Sequence, residues 1–224
     1  MPLSRDQAKY LFTVMRQGTG DVVTVFNGVD GQWQAEISKT AKSHGTLICR
    51  IYTAPLRMPP DLWLLFAPIK KNRTDFIVEK AVELGAARIC PVRTAFTNAE
   101  RIRQDRLQAH AIEAAEQCGG TFVPPVMDLK RLQDVLETWP HDRRLILADE
   151  TLIGTHTPPL SAIPPADKWA ILIGPEGGFS DAERARMAAL PYVTPIGLGP
   201  RILRADTATI AALTLWQSIW GDWR

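Results

Sequence analysis

Residues 168–183 read KWAILIGPEGGFSDAE. An apolar run ends in a glycine-containing loop, and Ser180-Asp-Ala-Glu183 has the spacing of a capping box, in which each side chain satisfies the other residue's backbone N–H at a helix start. The segment therefore reads as strand, tight loop and helix. Working outward, the same alternation recurs from about residue 60: LWLLFAP (62–68), a helix near 73–85, RICPV (88–92), a helix near 101–117, RRLILAD (143–149), WAILIG (169–174), a helix near 180–189, VTPIGL (193–198) and a closing helix near 203–221. Apolar strands alternating with helices predict an α/β domain whose parallel sheet is covered on both faces. Ligands of such sheets sit at the carboxyl ends of the strands.

The first quarter of the chain follows another rule. From Asp21 to about Tyr52 short apolar runs are separated by Asn27-Gly28, Asp30-Gly31 and His44-Gly45, which predicts a small antiparallel β module with hairpin turns. Pro55, Pro59 and Pro60 interrupt the chain, so the boundary is placed between a module of residues 1–57 and a domain of residues 58–224. A length of 224 residues allows one to two domains of roughly 150 residues. With 46% hydrophobic and 22% charged residues, the composition is that of a globular protein and excludes a disordered chain. No apolar run approaches the ~20 residues that cross a bilayer, and MPLSRDQAKY has no signal-peptide pattern. Cys49, Cys90 and Cys118 are irregularly spaced, which excludes a zinc ribbon and suits a reducing compartment. The expectation is a cytoplasmic protein with no metal site and no membrane partner. The net charge of +2 conceals an asymmetry. Residues 1–110 hold 16 Lys and Arg against 10 Asp and Glu, whereas residues 111–224 hold 10 against 14. The basic half is either a solvated face or a surface for a polyanion.

Three segments could carry chemistry. In Gly174-Pro-Glu-Gly-Gly-Phe-Ser180 the glycines permit close backbone approach, yet neither GxGxxG nor GxxxxGK[ST] is present and Glu176 would repel a phosphate. The loop is a tight turn, or it accepts a cation or hydroxyls. In Gly197-Leu-Gly-Pro-Arg-Ile-Leu-Arg204, Arg201 and Arg204 precede an apolar helix, where the helix dipole disfavours cations. Either Asp206 pairs with Arg204, or the arginines face an anionic substrate. Lys70-Lys-Asn-Arg73 lies at another strand end and, with Arg101, Arg103 and Arg106, builds the positive excess.

IKKNRTDFIVEKAVELGA, IEAAEQCGG, ILIGPEGGFSDAE and GLGPRILRADTATIAAL, in this order, resemble the 16S ribosomal RNA N3-uridine methyltransferases of the SPOUT superfamily, over about residues 8–222. The resemblance implies an N-terminal PUA-like β-barrel followed by a methyltransferase domain with a C-terminal trefoil knot that binds S-adenosylmethionine. It implies cofactor contacts from Ile173, Gly174, Pro175, Glu176, Gly177 and Gly178 and from Leu198, Gly199, Ile202 and Leu203. A sulfonium cofactor removes the objection to Glu176. The reactive Watson–Crick edge requires an unpaired or flipped uracil, and Arg201 or Arg204 would stabilise its anion, with Asp206 the third catalytic candidate. Asp206, Glu83 and hydroxide stand as alternatives for the general base. Lys70, Lys71, Arg73, Arg101 and Arg103 are the expected RNA contacts. The implied partners are 16S rRNA in the assembled small subunit and a second copy of the chain.

The sequence departs from the family pattern at several points. Gly119-Gly120 follows Cys118 where an arginine is usual, Asp206 stands for a glutamate, Tyr10 stands for a histidine, and the opening strand of the barrel is largely missing. They leave two alternative readings, an RNA-binding or ribosome-assembly factor with little catalysis and a methyltransferase of another RNA site. Trp216, Trp220 and Trp223 recur on one helical face, for the core or partly for a subunit interface.

Overall fold

The computed structural model describes residues 1–41, 43–155 and 159–223. The chain divides into two units, Met1–Met58 and Pro59–Arg224. In the first, helix α1 (Arg5–Lys9) starts at a Ser4–Gln7 capping box and continues into a π-helical turn at Tyr10–Val14. Strands β1 (Val22–Phe26), β2 (Gln32–Ala41) and β3 (His44–Ala54) form an antiparallel sheet in that order. Strand alternation turns Ala35, Ile37 and Leu47 inward, where Leu3 and Ala8 close the small core. The first hairpin turns where Asn27-Gly28 and Asp30-Gly31 predict it, with Asn27 Oδ1 accepting from the N–H groups of Val29 (3.0 Å) and Asp30 (2.8 Å).

The second hairpin turns earlier than expected. His44 already pairs with Ala41, so His44 and Gly45 belong to β3. Gly45 is there for space, because a Cβ would lie 2.6 Å from the Phe12 ring. Pro2 bridges Thr46, and Leu3 N–H donates to Gly45 O (2.9 Å), which ties the start of the chain to β3.

The second unit contains β4 (Leu62–Phe66), α2 (Lys71–Glu83), β5 (Arg88–Arg93), α3 (Gln104–Cys118), β6 (Lys130–Arg131), α4 (Leu132–Glu137), β7 (Arg143–Ala148), β8 (Lys168–Ile173), α5 (Asp181–Ala188), β9 (Val193–Ile196) and α6 (Ala205–Trp220). All its strand pairs are parallel, in the order β6-β5-β4-β8-β7-β9. One face, with Leu65, Leu145, Leu147, Ala170 and Leu172, packs on Leu132, Leu136, Phe179 and Met187 of the α4 and α5 side. Alternation sends Leu64, Phe66, Ile146 and Ile171 to the other face, all of them buried. There Trp220 stacks on Trp169 (4.4 Å between centroids) and Trp216 meets it edge-on (6.5 Å). Trp216 of the tryptophan stripe is therefore a core residue, and Trp220 is half-buried against Trp169. Trp223 lies beyond the end of α6 and is exposed.

At the opposite end of the sheet from the loops described below, Arg143 is buried over the Trp63 ring (3.6 Å). It donates to the Asp61 carboxylate (2.8 and 2.9 Å) and to Trp169 O (2.8 Å). The register aligns Ala148 with Ile173 on one side and with Ile196 on the other. Three strands thus end level and release their loops side by side, about 4.8 Å apart. Among the described residues no helix is long and apolar enough to cross a membrane, and no cluster of three or more His, Cys, Asp or Glu could hold a metal ion.

All three cysteines are free, and burial pushes the Cys90 thiol up to about 12, so it carries no thiolate near neutrality. Alkylation of the native protein near pH 8 should label the exposed Cys49 and Cys118 and spare Cys90 until denaturant is added, as read by peptide mass spectrometry. Equal labelling of all three would contradict the packing of β5.

Candidate functional site

A cleft opens where β7, β8 and β9 end. Its walls are Asp149, Glu150 and Ile153 after β7; Gly174, Pro175, Glu176 and Gly178 after β8; and Leu198, Arg201, Ile202 and Leu203 after β9. Ala148 and Ile173 form the strand-end floor, and Ala205 and Ala208 of α6 close the back. The enclosed part measures about 80 Å³, below the ~300–1,000 Å³ of common ligand sites. A nucleoside-sized ligand would sit partly in the open mouth or displace the 198–203 loop.

Packing holds the first loop rigid. Gly174 faces the ring of the buried Phe179, which a Cβ would approach to 2.9 Å. Gly178 has φ +67°, and a Cβ there would collide with the Glu150 carboxylate. Both positions need glycine for steric reasons. The capping box expected at Ser180 and Glu183 is present: Ser180 N–H donates to Glu183 Oε2 (2.9 Å), and Glu183 N–H donates to Ser180 Oγ (3.3 Å). Glu150 is held by Arg184 (3.1 Å) of the helix that this box starts. In the third wall, Asp149 N–H donates to Ile196 O (3.0 Å) and joins the β7 and β9 loops.

The structure gathers Ile173, Gly174, Pro175, Glu176, Gly178, Leu198, Arg201, Ile202 and Leu203 around one cleft. Gly177 and Gly199 stand at its edge, both exposed and outside the lining. Arg204 is exposed and precedes α6, with no ion pair among the described residues. Asp206 does not pair with Arg204. Its carboxylate lies 3.8 Å from Arg73 and accepts the Thr207 N–H (2.8 Å), which couples the start of α6 to the start of α2. Glu83 is paired with Lys80 (2.6 Å) at the far end of α2, about 20 Å along a 13-residue helix from the strand ends. That distance removes Glu83 from the candidates for a base at the cleft.

The sequence reading missed the third wall. Asp149 and Glu150 follow a recognisable strand at its carboxyl end, and that position was their only signal. With Glu150 paired to Arg184, Asp149 and Glu176 against Arg201 leave the cleft a small excess of negative charge suited to a cation, while Ile153, Leu198, Ile202 and Leu203 offer apolar surface.

The basic segments lie along the same edge, because β4 and β5 run parallel to β8. Lys71, Arg101, Arg103 and Arg106 line a second cleft of about 230 Å³. Arg106 pairs with Asp75, and Arg103 with Asp105 (2.9 Å), whose carboxyl it holds down to about 2. Lys71 and Arg101 form no ion pair among the described residues. Lys70 is exposed at the start of α2 without a side-chain cap. Arg73 is instead drawn to Asp206.

Comparison with known proteins places these features. Residues 56–217 match the family model described as RNA methyltransferase domain, and residues 3–48 match that described as RNA methyltransferase PUA domain. The chain is 31% identical to the ribosomal RNA small subunit methyltransferase E of Synechocystis, covering 94% of this chain and 70% of that one. It is 27% identical to the protein of the same name from Bacillus subtilis, covering 95% and 87%. It superposes on the crystal structure of the Neisseria gonorrhoeae ribosomal RNA small subunit methyltransferase E bound to S-adenosyl methionine with a TM-score of 0.85, 27% identity and coverage of 100% and 93%.

The packing at the first loop carries its own test. Gly174→Ala should lower stability by about 1–3 kcal/mol through overpacking against Phe179, measured by denaturant unfolding, whereas an unchanged midpoint would contradict the contact.

Proposed function

The chain belongs to the RNA methyltransferase family, and from that premise we propose that it uses S-adenosylmethionine to methylate N3 of a uridine in 16S rRNA. The observation that carries this reading is the meeting of both glycine loops in one cleft rich in carboxylates. The cleft's chemistry fits the cofactor: Asp149, Glu150 and Glu176 suit a positive sulfonium, and Leu198, Ile202 and Leu203 suit an apolar ring. When bound, the cofactor supplies an electrophilic methyl group.

The side chains of the chain do the rest. Uracil N3 must lose its proton to become nucleophilic; with Glu83 remote and Asp206 paired to Arg73, solvent hydroxide accepts it, and negative charge is left on the flanking oxygens. Arg201, an exposed cation on the cleft wall, donates hydrogen bonds to that charge as it develops. Arg204, three residues on, is a second donor at the rim. Asp206 acts as a positioning carboxylate, since its pair with Arg73 (3.8 Å) ties the cleft to the basic start of α2. Lys70, Lys71, Arg101 and Arg103 hold the RNA backbone on the same edge. We propose a homodimer acting in the cytoplasm on the assembled small subunit. Ile202, 79% exposed at the cleft mouth, supports it as an apolar group that a ligand or a second copy would cover.

Unmodified small subunits incubated with the protein and S-adenosylmethionine should gain 3-methyluridine in nuclease digests read by mass spectrometry, and none would refute the assignment. Arg201→Ala should lower turnover by about 10²-fold or more with cofactor affinity within a few-fold, the pattern of one lost anion-stabilising donor. Equal loss of both would move Arg201 into the cofactor site.

A further inference from the structure

Beside the cleft stands an exposed aromatic side chain that neither the cofactor loops nor the basic start of α2 accounts for. Phe96, 49% exposed, sits in the turn after β5. The turn is fixed twice: Thr94 N–H donates to Thr97 Oγ1 (2.9 Å), and Ala95 N–H donates to Glu183 Oε1 (2.8 Å), the carboxylate of the α5 capping box. The phenylalanine also packs on the cofactor-side loop, since a Cβ at Gly177 would lie 3.2 Å from Phe96. A single exposed apolar side chain is ordinary. This one is held in place at the edge of the cleft, next in the chain to Thr94 and Ala95, which line a groove of about 330 Å³ together with Arg93, Arg131, Glu183 and Arg186.

Those arginines supply a second, independent observation. Arg93 and Arg131 are register partners across β5 and β6, both exposed, and neither forms an ion pair among the described residues. Like charges directly opposite each other cost stability, a cost that an anion bridging them removes. Arg186 is already paired with Glu137 (2.9 Å), so Arg93 and Arg131 are the groove's arginines that lack a salt bridge among the described residues, beside the Glu183 carboxylate of the capping box. An aromatic platform beside phosphate-binding cations is the chemistry of single-stranded nucleic acid recognition.

We propose that this groove seats an unpaired nucleotide next to the target, with its phosphate bridging Arg93 and Arg131 and its base stacked on Phe96. The proposal rests on the RNA-methylating reading above and adds a base contact to it. A flipped target needs its neighbour held apart from the duplex, and a platform against the cofactor loop does so at the point of reaction.

The test uses the full chain, a labelled single-stranded oligouridylate and small ribosomal subunits. Phe96→Ala should weaken oligonucleotide binding about 10-fold, with S-adenosylhomocysteine affinity unchanged, and Phe96→Tyr should restore binding to within about twofold. Arg93→Gln with Arg131→Gln should flatten the dependence of log K on log salt by about 0.7, the increment for the one phosphate that the two arginines share, whereas Phe96→Ala should leave that slope unchanged. Wild-type binding by Phe96→Ala, a tyrosine no better than alanine, or an unaltered slope in the double variant would overturn the proposal. So would a change of native mass in Phe96→Ala, which would assign the ring to a protein contact. If the wild type methylates subunits and Phe96→Ala does so with unchanged KM, the seat fails and the functional assignment stands. If the binding pattern holds but the wild type transfers no methyl group, the seat stands and the assignment fails.

Discussion

The site depends on one close approach, the backbone of Gly178 against the carboxylate of Glu150. With φ at +67° and the Glu150 carboxylate where a Cβ would lie, the loop after β8 meets the side chain that follows β7, and a residue other than glycine would bring backbone strain and displace that carboxylate. Arg184 holds Glu150 from α5, and α5 exists in that place because Ser180 and Glu183 cap it. Phe179, between Gly178 and Ser180, is fully buried in the core on the α4 and α5 face. The loop is thus an extension of the core, and its conformation is settled before any ligand arrives. Preorganisation of this kind lowers the ordering cost that binding must otherwise meet.

The same sheet separates charge along one edge. Loops after β4 and β5 bring Lys70, Lys71, Arg101 and Arg103, while loops after β7 and β8 bring Asp149, Glu150 and Glu176. The basic and acidic segments of the second unit thereby become neighbouring regions of one edge. The Arg73–Asp206 pair joins them, since it connects the helix after β4 with the helix after β9. At the other end of the strands the buried Arg143, paired with Asp61 and donating to Trp169 O, holds β7 and β8 to the start of β4. Trp169 also receives Trp216 and Trp220, so α6 is seated on the strand that leads into the first glycine loop.

Much of this was legible from residues alone, for identifiable reasons. Strand β4 is an uninterrupted apolar run and β5, β7, β8 and β9 are largely apolar, and each falls within about two residues of its expected place. The Ser180–Glu183 box is a local hydrogen-bond pattern that three residues of spacing suffice to reveal. The two glycine loops were found because they follow strands, and the register then brought them together. What stayed hidden depends on contacts between distant segments. The two-residue β6 and six-residue α4 are too short for periodicity to register. Gly45 reads as a turn residue but serves the Phe12 ring. Sequence proximity offers Arg204 as one of two explanations for Asp206, whereas its partner in space is Arg73 on another helix. Glu150 and Phe96 carry no motif at all, and only the packing of their loops against the glycines brings them to the site.

The central claim is that this glycine-built cleft holds S-adenosylmethionine, and calorimetric titration with S-adenosylhomocysteine of the wild type and of Gly178→Ala tests it most directly. The account predicts one ligand per wild-type chain, and for the variant a loss of about tenfold or more with cooperative unfolding retained, because a Cβ at a left-handed position costs about 1–2 kcal/mol in addition to its collision with Glu150. Wild-type affinity in Gly178→Ala, or no binding by the wild type, would contradict it.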